Sequence, residues 1–88
     1  MIISPWRTGL VFAALLGLWH LVWAGLVAVG AAQPLVDFVL RIHFIDLPVR
    51  IAPFDAALAA VLVVVTSAVG WVGGAVLAVL WNRLHKTA

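Results

Sequence analysis

Hydrophobic positions run along this chain in two long blocks, with polar and helix-breaking residues gathered between and outside them. The second block, 56–80, holds no charged residue. Along it Thr66, Gly70, Gly74 and Ala78 recur every fourth position, with Ser67 and Gly73 beside them. A helix needs about 20 apolar residues to cross a bilayer core, so this block is long enough to span. Fourfold spacing stacks the small side chains on one helix face, a strip against which another helix packs closely. The first block, 8–32, has His20 as its only ionisable residue. Its small residues Gly9, Ala13, Gly17, Ala24 and Ala28 fall on one face, in line with His20. The two blocks carry matching strips.

The flanks punctuate these blocks. Pro5 suits a helix beginning, and Trp6 with Arg7 forms an interfacial anchor of aromatic-plus-basic type. Gln33-Pro34 interrupts the first pattern, and Pro34 suits the first residue of a new short helix. Between 34 and 44, Asp37 and Arg41 stand four apart with the acid first, the favourable order for a helical pair. Leu35, Val39 and Ile42 point the other way, as in a helix lying at a membrane surface. Pro48 and Pro53 push their preceding residues out of helical geometry, which predicts an irregular return loop. Pro53 then opens the second span, with Asp55 in its first turn, and Trp81 with Arg83 repeats the anchor at its far end. The expectation is an all-α membrane protein, a single unit 1–88. It is an antiparallel hairpin of two transmembrane helices, 8–31 and 53–82, with a short interfacial helix at 34–44.

Composition agrees with that reading. Of 88 residues, 67% are hydrophobic and 9% charged, against roughly 25% charged in an average soluble domain. A soluble fold of this size has too little polar surface to cover such a core. The formal net charge is only +2, and its scattered Lys and Arg lack the clustered stripe of a nucleic-acid binder. No cysteine is present, so thiol chemistry and disulfides are excluded. A signal peptide has an apolar region of about 7–15 residues; the first block is longer, so a retained span is expected. Arg7, Arg83 and Lys86 flank the outer ends of the spans, whereas Arg41 and Arg50 in the connection are offset by Asp37, Asp46 and Asp55. The positive-inside rule then places both termini in the cytoplasm; a bacterial inner membrane is the expected location.

His20 is the sharpest chemical feature, because ionisable groups inside a membrane default to a functional hypothesis. It stands near the middle of its span, at a depth that in an antiparallel pair suits Thr66 and Ser67. Three readings follow: a hydrogen bond across the helices to Ser67 or Thr66, a contact with a neighbouring subunit, or axial ligation of haem iron or bacteriochlorophyll magnesium by neutral imidazole. Two haem-ligating histidines would require a second histidine within the spans, and His43 and His85 lie outside them. His43 and Asp46 are too few to close a metal shell. No histidine–carboxylate constellation surrounds Ser4, Ser67 or the threonines, and the spans hold no carboxylate for a proton path. Trp19, Trp23 and Trp71 lie deeper than Trp6 and Trp81. They are expected to fill gaps between helices or to line a groove for lipid, quinone or carotenoid.

The stretch GWVGGAVLAVLWNRL, 70–84, resembles a family of small bacterial two-span membrane proteins of uncharacterised function. Gly70, Gly73, Gly74, Trp81 and Asn82 carry the likeness. The resemblance implies a two-helix hairpin and brings no activity with it.

The expected function is that of a non-catalytic accessory subunit among other transmembrane subunits and membrane lipids. The host is a larger bacterial membrane complex, photosynthetic or respiratory. Helix packing rests on Gly17, Ala24, Thr66, Ser67, Gly70, Gly74 and Ala78, and anchoring on Trp6, Arg7, Trp81 and Arg83. The alternatives are a cofactor-binding protein with His20 as axial ligand, and a self-associating membrane protein. The economical use of Gly70 and Gly74 is to close the two spans on each other, with docking left to outer faces where Trp71 and the valines are expected.

Overall fold

Backbone capping sets where the helices begin and end. The computed structural model describes residues 2–86; Met1, Thr87 and Ala88, which belong to the expected unit 1–88, lie outside the described residues. Helix α1 runs Pro5–Ala28, α2 Ala32–Ile42 and α3 Ala56–Leu84, and no strand occurs among the described residues. α1 starts three residues before the expected span because Ser4 caps it: the Ser4 hydroxyl accepts from the Arg7 amide at 3.3 Å, with Pro5 in the first position. α1 also ends earlier than position 31. Gly30 takes the left-handed conformation (φ 79°), and the amides of Gly30 and Ala31 return to the carbonyls of Val27 and Leu26. This closure satisfies carbonyls that a helix end otherwise leaves open.

α2 begins before Pro34 rather than at it. Pro34 still falls in the first turn, where a missing N–H breaks no helical bond. α2 closes in the same way as α1, with Phe44 and Ile45 donating to the carbonyls of Arg41 and Leu40. Here the left-handed position is held by Phe44 (φ 60°) instead of glycine, a conformation that costs a bulky residue about 1–2 kcal/mol. α3 starts after Pro53 because Asp55 is its cap and not part of its first turn. The Asp55 carboxylate accepts from the amides of Ala57 (2.9 Å) and Leu58 (3.3 Å).

At a rise of 1.5 Å per residue, the 24 residues of α1 and the 29 of α3 extend roughly 36 and 43 Å, against a hydrocarbon core of about 30 Å. Both helices are long and apolar enough to cross a membrane. They pack along one another in opposed order. Ile3 meets Asn82, Gly74 approaches Thr8 and Gly9, Gly70 approaches Phe12 and Ala13, and Gly17 faces Ser67. The buried positions are the small ones: Gly9, Gly17 and Ala24 on α1, Gly70, Gly74 and Ala78 on α3, and Ala32 at the start of α2. No large side chain among the described residues is fully buried. The Cα atoms span 53 × 33 × 14 Å, so the elements lie side by side in a thin slab with almost no interior.

The seam separates the glycines by function. A Cβ placed on Gly70 would stand 2.5 Å from the Phe12 carbonyl oxygen, and one on Gly74 2.7 Å from that of Thr8, both backbone atoms unable to yield without moving the helix. A Cβ on Gly73 would meet nothing within 4 Å. Gly73, beside the strip, and Ala28, included in the first strip by spacing, lie outside the contact; both are exposed. We expect Gly70→Ala or Gly74→Ala to destabilise the helix pair by about 1–3 kcal/mol through overpacking. Gly73→Ala should be neutral or stabilising by up to about 1 kcal/mol, as glycine is the poorer helix former. Unfolding of the purified protein in detergent, followed by circular dichroism, ranks the three. Equal effects at all of them would refute the seam.

Candidate functional site

The polar side chains within the two long helices do not meet one another. His20 Nδ1–H donates to the Leu16 carbonyl at 2.7 Å, one turn back on its own helix. Thr66 Oγ1–H donates to Leu62 O at 2.7 Å, with Val63 O at 3.2 Å. The expected bond from His20 to Ser67 or Thr66 is therefore absent from the described residues. The reason is local. A helical His or Thr finds an unhindered carbonyl three or four residues behind it, without help from a neighbouring helix. Ser67 instead packs its Oγ at the place where Gly17 lacks a side chain. With Nδ1 protonated toward Leu16, Nε2 of His20 is left as the ring's acceptor or ligand atom. His43 and His85 bond back to Val39 and Trp81 in the same manner, so this orientation does not distinguish His20. Among the described residues, no three His, Asp or Glu side chains gather to hold a metal.

Two amide side chains do bridge distant parts of the chain, and neither was singled out for this by spacing. Asn82, near the end of α3, accepts from the Ile3 amide through Oδ1 and donates to the Ile3 carbonyl through Nδ2, each at 2.7 Å. Gln33, near the start of α2, accepts from the Ile51 amide at 2.7 Å and donates to the Val49 carbonyl at 2.8 Å and to Asp37 at 2.9 Å. Each thus pairs with backbone as a β ladder would. A side-chain amide carries both donor and acceptor, which suits it to an otherwise unpaired segment. The available signal was compositional: these are the chain's one Asn and one Gln, and each stands just outside an apolar block.

Gln33 also alters the expected acid–base pair. Asp37 receives the Gln33 amide, while the Arg41 guanidinium lies over the Phe38 ring, 5.8 Å from its centroid. Trp71 departs from expectation too. It lies on the inner side of α3, half-buried, with its indole against Gly9 and its ring edge-on to Trp6 at 5.3 Å. Its buried Nε1 has no hydrogen-bond partner among the described residues. Of the four expected anchors, Trp6, Arg7, Trp81 and Arg83 are all exposed, and the Trp81 ring stacks on His85 at 3.8 Å.

Two apolar grooves lie toward the end of the helix pair away from the termini. A groove of about 540 Å³ is bounded by Trp23, Ala24 and Val27 of α1, by Leu58, Leu62 and Val65 of α3, and by the segment 50–55 between them. Arg50 and Asp55 also line it. A second cleft of about 210 Å³ separates Trp19, Val22, Trp23 and Leu26 from Leu35, Val36, Val39 and Leu40 of α2. Trp23 is shared by both, and the second is lined by apolar side chains alone.

Protein-family models, curated proteins and solved structures give no match to this chain.

The two amide bridges generate a prediction with separable outcomes. Gln33→Ala should release the backbone of 49–51, raising amide hydrogen exchange at Ile51 while leaving mid-helix amides of α1 and α3 protected. Asn82→Ala should instead lower the stability of the helix pair by about 1–2 kcal/mol, the net worth of two hydrogen bonds. Unchanged exchange at Ile51 in the first variant would show that Gln33 does not hold the segment.

Proposed function

We propose that this chain is a non-catalytic accessory subunit of a larger bacterial membrane complex. It crosses the bilayer as a hairpin of α1 and α3, with α2 at the interface, and works by presenting a shaped apolar surface to other helices. The observation that carries the reading is the division of surface. Gly9, Gly17 and Ala24 of α1 and Gly70, Gly74 and Ala78 of α3 are the buried positions of the two helices, while the periphery carries large apolar side chains with high exposure. In lipid such a surface has no hydrophobic drive of its own, and association follows van der Waals fit. Val65, Val69, Val72 and Val76 are all exposed, and their spacing of four, three and four puts them on one face of α3. That face is the preferred dock, keeping the valines of the expected outer face and leaving out Trp71, which is half-buried.

The polar groups support the same reading. Ser4, His20, Thr66, Asn82, Gln33 and Asp55 each hydrogen-bond backbone of this chain, so they serve folding before any substrate. The host as an energy-converting assembly, respiratory or photosynthetic, is suggested by small size and tryptophan-rich spans. The end of the helix pair that carries Arg7, Arg83 and Lys86 is proposed to face the cytoplasm, following the positive-inside rule.

Gentle detergent extraction and affinity capture of the full chain should recover a defined set of transmembrane partners. Val69→Trp with Val76→Trp should reduce that recovery by about tenfold, an overpacking effect on the dock, with membrane insertion unchanged. Full recovery with the double variant would remove the valine face from consideration. A homo-oligomer as sole product would favour self-association instead.

Orientation has its own measurement. A thiol introduced by Asp46→Cys should react with an impermeant maleimide on intact spheroplasts, and one introduced by Lys86→Cys only after lysis. The reverse pattern would invert the proposed topology.

A further inference from the structure

The packing of α1 on α3 is not uniform along its length. The close approaches at the glycines run from Thr8 to Gly17 on α1 and from Ser67 to Gly74 on α3, and Ala78, past Gly74, is fully buried. Beyond them, toward the connecting segment, α1 presents Trp23 and Val27 and α3 presents Leu62 and Leu58, and the groove of about 540 Å³ opens there. Its walls are aliphatic and aromatic along the helices. Its charged groups belong to the segment 50–55, at one end. Those charges are not equivalent. The Asp55 carboxylate accepts from two amides at the start of α3, so it is directed into the helix end. Arg50 is exposed and makes no ion pair among the described residues. Gln33 holds the backbone on either side of Arg50 through Val49 O and the Ile51 amide, which fixes where the guanidinium departs from the chain.

We infer that this groove binds one anionic phospholipid, its acyl chain lying between Trp23 and Leu62 and its phosphate on Arg50. The match is of two chemistries in the right order: an apolar trough running into the membrane-spanning part of the helices, and, at the end nearest the interface, a guanidinium that makes no ion pair among the described residues. A guanidinium binds a phosphate diester through its fork of N–H donors. An uncharged occupant such as a quinone leaves Arg50 without a partner. The inference rests on the proposal that α1 and α3 cross the bilayer, and it is independent of whether a partner complex exists.

The test uses the full chain reconstituted separately with phosphatidylglycerol and with phosphatidylcholine, then released from detergent in a mass spectrometer under native conditions. A single retained phosphatidylglycerol per chain is expected, with phosphatidylcholine retained several-fold less. Arg50→Gln, a change on an exposed loop residue, should reduce the preference for the anionic lipid by about fivefold, the effect of one basic side chain near a membrane surface. Ala59→Trp, at a groove-lining position, should abolish retention of both lipids; circular dichroism verifies that this variant keeps its helices. Equal retention of both lipids by the native chain overturns the inference. So does a preference untouched by Arg50→Gln, or a retained molecule whose mass is that of a quinone. Carbonate extraction of native membranes separates the two levels. A chain that resists extraction but retains no lipid refutes the groove alone, whereas a chain released by carbonate refutes the membrane crossing on which it rests.

Discussion

Backbone-to-backbone approach between α1 and α3 is the constraint on which the remaining structure depends. With Gly70 and Gly74 set against the carbonyls of Phe12 and Thr8, no side chain separates the helices there, and the contact is made by main-chain atoms and methylenes. Close approach maximises the number of atoms within van der Waals reach. That matters most where solvent offers no hydrophobic drive toward association. It also dictates what the opposite helix presents: Trp71 lies in the space left by Gly9, and the Ser67 hydroxyl in that left by Gly17. Large residues are consequently displaced to the periphery. A thin slab with an apolar outside follows from placing glycine on the inside.

Much of this was legible because the governing signals are local. An uncharged run at 56–80 and a fourfold rhythm of small residues are properties of neighbouring positions, and helical periodicity converts them into a face. The same rhythm separates Gly70 and Gly74 from Gly73, which lies one position off and faces open space. Asp55 was placed at the start of α3 correctly in kind, though as cap and not as first-turn residue. Proline position alone does not settle this, because the carboxylate reaches two amides beyond it. The end of α2 was harder, since Phe44 occupies a backbone conformation that its own sequence disfavours.

What escaped the sequence reading depends on partners far away along the chain. Asn82 bonds Ile3 and Gln33 bonds Val49 and Ile51, pairings that no periodicity encodes. The hydrogen bond expected from His20 to Ser67 or Thr66 failed in the opposite sense: depth matching suggests a partner on α3, yet the ring bonds Leu16 on its own helix. A polar group in an apolar segment takes the closest satisfied geometry, and in a helix that is the preceding turn. Trp71 illustrates a third cause. Its position beside the glycine strip placed it near the boundary between inner and outer faces, and the space above Gly9 decided the side.

The two amide bridges and the glycine seam also explain where an opening can exist. Asn82 of α3 ties down Ile3, in the lead-in just before α1, and the glycine contacts extend that closure through the middle. At the other end the tie is different in kind. Gln33 grips the connecting segment, not α3, so the helices there are joined through an intervening loop. Side chains the size of Trp23 and Leu62 then fit between them without being clasped. The groove lies at this end, where the fastening residue belongs to α2 and not to either long helix. Arg50 sits between the two residues that Gln33 holds, so the residue that fastens the loop also sets the position of the charge at the groove's mouth.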